Sequence, residues 1–103
     1  MKYTEIFKLK DMLEKEGISF EWKDESYLFS TIGEEKYHIC VPGFDLGARI
    51  VSIIQGWGTY GAEEDKLEIM GLLTNEEAEH DSVVGGLTAQ DVFSRIKAAW
   101  DGE

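Results

Sequence analysis

Apolar and polar positions alternate along this chain with two periods. Between Thr4 and Glu16, Ile6, Leu9 and Leu13 recur at helical spacing with Phe7 and Met12 beside them. Thr4 is placed to cap that helix and Gly17 to end it. Ile18–Trp22 then alternates apolar and polar, as a half-buried strand does. Lys23–Ser26 reads as a turn, Tyr27–Ile32 as a second strand and Gly33–Glu35 as a second turn. Lys36–Val41 reads as a third strand ended by Pro42 and Gly43. Arg49–Gln55, with Val51, Ile53 and Ile54, is β-branched and apolar enough for a central, largely buried strand. Gly56–Asp65 is a glycine-punctuated loop, and Lys66–Met70 alternates again with Leu67 and Ile69 on one face.

The C-terminal third returns to helical signals. Thr74-Asn75-Glu76-Glu77 has capping-box spacing and predicts a short helical turn. Gly85-Gly86 reads as a break. Thr88 is placed to cap a final helix, with Asp91 near its positive end and Val92, Ile96 and Ala99 along its apolar stripe. The short connections favour hairpins over crossovers. The expected fold is therefore α+β: an antiparallel sheet of about five strands, with the N-terminal and C-terminal helices packed on one face. Its 103 residues make one domain, 1–103.

Charge changes that picture more than composition does. Twenty-one acids against ten Lys and Arg leave the chain at −11, and residues 63–81 hold eight acids against Lys66 alone. Such a field repels nucleic acid and anionic membranes and attracts basic partners. The alternative is that the acids form a solvated face that serves solubility. No apolar run is long enough to span a bilayer, and the N-terminus enters its amphipathic pattern with no apolar signal core. The single cysteine, Cys40, has no partner for an internal disulfide. The expected compartment is the cytoplasm.

Gly56-Trp57-Gly58-Thr59-Tyr60-Gly61 spells G-x-G-x-x-G, with Asp81 twenty residues further on. A dinucleotide fingerprint must open a helix whose N-terminus holds the pyrophosphate; here acids and a strand pattern follow, so no nucleotide is expected. Trp57 and Tyr60 read instead either as partner-binding aromatics at a loop tip or as rings folded back on the core. His38 and Cys40 would point to one strand face, a packed cysteine beside a hydrogen-bonded histidine. Zinc would need more ligands, and the acids of 63–81 lack a calcium-loop pattern. No metal, cofactor or catalytic residue is expected. The chain is expected to bind a macromolecule rather than to act as an enzyme. The expected binding residues are Trp57, Tyr60, Glu63, Glu64, Asp65, Glu68, Glu76 and Glu77, with residues 63–65 free of any core role.

The stretch Leu67–Thr74 followed by Asp81–Ile96 (Asp-Ser-Val-Val-Gly-Gly-Leu-Thr-Ala-Gln-Asp-Val-Phe-Ser-Arg-Ile) resembles a family of small acidic proteins encoded by bacteriophages and prophages. His38–Pro42 and Ser52–Gln55 share the likeness, which spans about residues 18–97. A chain of this length and type also resembles a type II-A anti-CRISPR group. That resemblance implies a cytoplasmic inhibitor, acting in the host bacterial cell, that binds the RNA-guided type II effector nuclease. The nuclease holds nucleic acid in positively charged channels, which an acidic domain would occupy as a nucleic-acid mimic. The alternative is a phage accessory protein-interaction domain, acidic for solubility only.

Overall fold

The computed structural model describes residues 3–42, 49–59 and 62–101; Gly43, Tyr60 and Gly61, which the sequence placed in turns, lie outside them. The element order is α1 (Glu5–Glu16), β1 (Glu21–Asp24), a 3-10 segment (Ser26–Ile32), β2 (Lys36–Pro42), β3 (Arg49–Gly56), a 3-10 turn (Ala62–Glu64), β4 (Leu67–Met70), α2 (Asn75–His80), β5 (Val84–Leu87) and α3 (Ala89–Asp101). The five strands form one sheet in the order β1-β2-β3-β4-β5, with every neighbouring pair antiparallel. The fold is thus the expected α+β arrangement.

Strand alternation sorts the sheet into two faces. Ile39, Val41, Val51, Ile53, Leu67 and Ile69 share a core with Ile6, Leu9 and Leu13 of α1 and with Val92 and Ile96 of α3. Burying side chains of this size contributes roughly 1.5–3 kcal/mol each. Phe7 packs on Trp22 and Tyr37, whose own rings stack with centroids 5.7 Å apart. That cluster closes the β1 side of the core. The opposite face carries His38, Cys40, Ser52, Ile54 and Glu68, in a register that sets Cys40 against Ser52 and Ile54 against Glu68.

Two elements differ in kind from the sequence reading, and the first strand is shifted from the expected Ile18–Trp22 to Glu21–Asp24, taking in two residues of the expected turn. Tyr27–Ile32 is not a strand but lies within the 3-10 segment Ser26–Ile32. Asp24 Oδ1 accepts a hydrogen bond from the Ser26 N–H at 3.0 Å and turns the chain locally; Gly33, at φ +69°, ends the segment. The fifth strand is instead Val84–Leu87, containing the two glycines expected to break the chain. It pairs with β4 through an irregular register between Leu67 and Ile69, as an interior glycine pair allows.

The start of α1 is also built differently. Thr4 makes no side-chain cap of the helix. Its hydroxyl instead donates to Asp65, and the Asp65 carboxylate also accepts the N–H groups of Thr4 and Glu5, at 2.7 and 3.3 Å. The Ile6 N–H donates to the fully buried Gln55 side chain at 2.9 Å, and the Gln55 amide donates to Asp65 at 2.6 Å. Three of the orphan N–H groups at this helix end are therefore satisfied from β3 and the loop after it.

Candidate partner-binding surface

The glycine turn after β3 is a packing device. A Cβ on Gly56 would lie 2.5 Å from the Glu35 carbonyl oxygen and from the Lys36 Cα, so only glycine lets β3 end against β2. The Thr59 hydroxyl donates to the Gly56 carbonyl at 2.7 Å and the Gly56 N–H donates back to it, closing the turn. The chain then enters a three-residue 3-10 turn and β4, not a helix that could present its N-terminus to a pyrophosphate.

Trp57 is held at the tip of this turn. Its N–H donates to the Glu35 carbonyl at 3.0 Å, and its ring rests on Phe29 of the 3-10 segment, with centroids 5.4 Å apart. Even so, 49% of Trp57 faces solvent. Tyr60 lies outside the described residues.

The six expected acids separate into two groups. Glu63 and Glu64 are exposed and make no hydrogen bond or ion pair with another described residue; Glu76 is likewise exposed on α2. Asp65, Glu68 and Glu77 belong to the fold. Asp65 is the cap of α1 and sits at φ +57°, which overturns the expectation that residues 63–65 have no core role. Burial pushes its carboxyl up, but the hydrogen bonds from Thr4, Gln55 and Glu5 outweigh that and hold it below the ordinary carboxylate range. Glu68 is only 7% exposed, on the sheet face away from the helices. Glu77 completes the capping box with Thr74 and takes a two-pronged contact from Arg95 at 2.8 and 2.9 Å. The Arg95 hydrogen bond, then that of the Thr74 N–H, brings its carboxyl down to about 2.

These acids are also divided in space. Glu63 and Glu64 precede β4 while Glu76 follows it, so they lie toward opposite ends of that strand.

Sequence reasoning missed three of the five large apolar side chains that stand exposed among the described residues. Tyr27, Leu28 and Ile32 are 72%, 58% and 55% exposed, all on the segment read as a strand. The signal was present: Asp24-Glu25-Ser26 is a local turn former, and Tyr-Leu-Phe-Ser-Thr-Ile does not alternate strictly.

On the other sheet face, Cys40 is buried, 3.3 Å from His38 Nε2. The same ring nitrogen contacts Ser52 Oγ, and His38 Nδ1 lies 3.5 Å from Glu25. Nucleophilic chemistry would need an accessible thiol, and Cys40 is 2% exposed. A depression lined by Ser52, Ile54, Glu68, Ile69, Met70 and Val83 encloses about 60 Å³, well below the several hundred of a small-molecule site. Among the described residues no three His, Cys, Asp or Glu side chains converge to hold a metal, and no helix is long and apolar enough to cross a membrane. The chain matches no protein-family model, no curated protein and no solved structure.

Proposed function

We propose that this chain is a stoichiometric inhibitor that binds a basic, nucleic-acid-binding surface of a type II-A RNA-guided effector nuclease, an anti-CRISPR protein of phage origin acting in the host cytoplasm. The observation that carries this reading is half-exposed Trp57 followed, six positions on in the chain, by exposed Glu63 and Glu64, acids with no partner among the described residues. Aromatic side chains anchor the core of a protein interface, with charges at its rim. Free carboxylates facing arginine make the strong two-pronged contacts that a phosphate would otherwise make. One face of so small a domain offers the ~800 Å² that a standard interface needs.

The test is a pull-down of the purified nuclease, with and without guide RNA, at about 50 and about 200 mM salt. A complex that weakens at the higher salt supports the reading, because screening shortens the reach of the acids. Absence of a complex in all four conditions overturns it.

A second reading has its own observation. Asp65, Glu68 and Glu77 are taken up by the fold, which leaves Glu63, Glu64 and Glu76 of the expected set open to a partner. This favours an accessory interaction domain whose acidity serves solubility. A folded chain that captures no nuclease at either salt concentration would select it.

A further inference from the structure

Among the described residues five large apolar side chains stand exposed, and four of them gather at one place: Tyr27, Leu28 and Ile32 of the 3-10 segment, and Trp57, which packs on Phe29 of that same segment. The fifth, Met70, lies on β4. The segment is not a loose loop. Ser26 Oγ accepts the Lys36 N–H at 3.0 Å, and the Glu25 N–H donates to the Lys36 carbonyl at 2.9 Å. The Leu28 N–H reaches the Glu25 carbonyl, the Ser30 hydroxyl the Tyr27 carbonyl, and the Glu34 N–H the Phe29 carbonyl. Lys36 Nζ caps the Phe29 ring at 5.7 Å. The backbone is thus satisfied internally while the large side chains point to water, the pre-organised state that lowers the ordering cost of binding. Large apolar side chains left in water on one short, internally bonded segment mark an interaction surface.

Charge selects its occupant. Residues 21–36, which bracket the apolar run, hold five acids (Glu21, Asp24, Glu25, Glu34, Glu35) against Lys23 and Lys36, within a chain at −11. A second copy would bring the same acids into register with these, and an anionic membrane or a nucleic acid would be repelled. We infer that Tyr27, Leu28, Ile32 and Trp57 form the apolar anchor of a docking surface for a protein that presents an apolar helix face bordered by lysine or arginine. This rests on the reading that the Trp57 end of the sheet binds a basic protein. It moves the main contact from the acidic loop to the 3-10 segment, leaving Glu63 and Glu64 to steer the encounter.

The experiment uses the whole chain and a defined probe: a synthetic helical peptide with a leucine stripe bordered by lysines, titrated calorimetrically. Its control has serine in place of leucine. The leucine–lysine peptide should bind at least about tenfold tighter than the serine–lysine peptide, and L28S/I32S should lose about that factor. M70S should bind as wild type does. Because Leu28 and Ile32 are exposed, the double variant should keep the wild-type melting temperature, which is measured alongside. Equal binding of both peptides, or unchanged binding by L28S/I32S, overturns the inference. So does a concentration-dependent dimer of the wild type, seen by sedimentation, that L28S/I32S abolishes, since the occupant would then be a second copy. If the peptide binds as expected while the nuclease is not captured, the named nuclease is wrong and the docking surface stands. If the nuclease binds and L28S/I32S leaves both affinities unchanged, the proposed function stands and the docking surface falls.

Discussion

Asp65 and Glu77 lie toward opposite ends of β4, and each is an acid spent on holding a helix. Asp65 ties the start of α1 to Gln55 and to the loop after β3, across 61 positions of chain. Glu77 closes its own helix locally through Thr74 and is then clasped by Arg95, which also donates to the Leu72 carbonyl at 3.0 Å. At the Asp65 end, Glu63 and Glu64 precede the cap in the chain and stay exposed, and half-exposed Trp57 packs on the exposed apolar segment through Phe29. At the Glu77 end the open neighbour is Glu76, and the large exposed apolar residue there is Met70. A run of acids in sequence is therefore not one surface. Each carboxylate has to be assigned by what its oxygens contact.

The largest effect should come from Asp65→Ala. It removes the cap of α1 and strands the buried Gln55 amide, two losses that together cost about 2–4 kcal/mol. Urea unfolding measures it, and a loss below about 1 kcal/mol would show that water or Thr4 replaces the carboxylate.

Gly56→Ala should cost about 1–3 kcal/mol, since its methyl group meets backbone atoms of Glu35 and Lys36 rather than a flexible side chain. A neutral result in the same unfolding assay would mean that β2 and β3 separate there without penalty.

The Glu77 end makes a pH-dependent prediction. Its carboxyl lies at about 2 in the folded protein against an ordinary 4.5, so its contribution is complete above about 4.5 and disappears as pH falls through about 2. Glu77→Gln should therefore lower Tm at pH 6 and converge on wild type near pH 2. A constant Tm difference across that range would detach the Arg95 contact from stability.

Smallest of all, Glu63→Lys and Glu64→Lys should change stability by no more than about 0.5 kcal/mol each, as exposed sites without partners do.

Local and periodic features were the legible ones. The α1 stripe of Ile6, Leu9 and Leu13, the β-branched run through Val51 and Ile53, the Thr74 capping box and the Thr88–Asp91 cap all stand where the pattern placed them. The Thr88 N–H and Asp91 N–H exchange hydrogen bonds with each other's side chains at 3.1 Å. What stayed hidden depended on tertiary partners. Val84–Leu87 becomes a strand through the edge that β4 offers, against its glycines' own preference. Asp65 reads as one more acid beside Glu63 and Glu64 until the chain brings Thr4 and Gln55 to it. Glu5 misleads in the same way: it looks like a solvent-facing acid of the first turn, yet Oε1 accepts the Ala89 N–H at 3.1 Å and joins α1 to the start of α3. Tyr27–Ile32 was expected as a strand after the Lys23–Ser26 turn, but the turn that Asp24 starts continues into the 3-10 segment.

The central claim is that binding resides at the Trp57 end of the sheet rather than in the net charge. The most direct measurement is calorimetric titration of the effector nuclease with two variants of equal charge, Glu63→Lys/Glu64→Lys and Asp11→Lys/Glu76→Lys. The first pair should weaken binding by about tenfold or more and the second by less than about threefold. Equal losses from both pairs would assign the affinity to overall charge and contradict the claim.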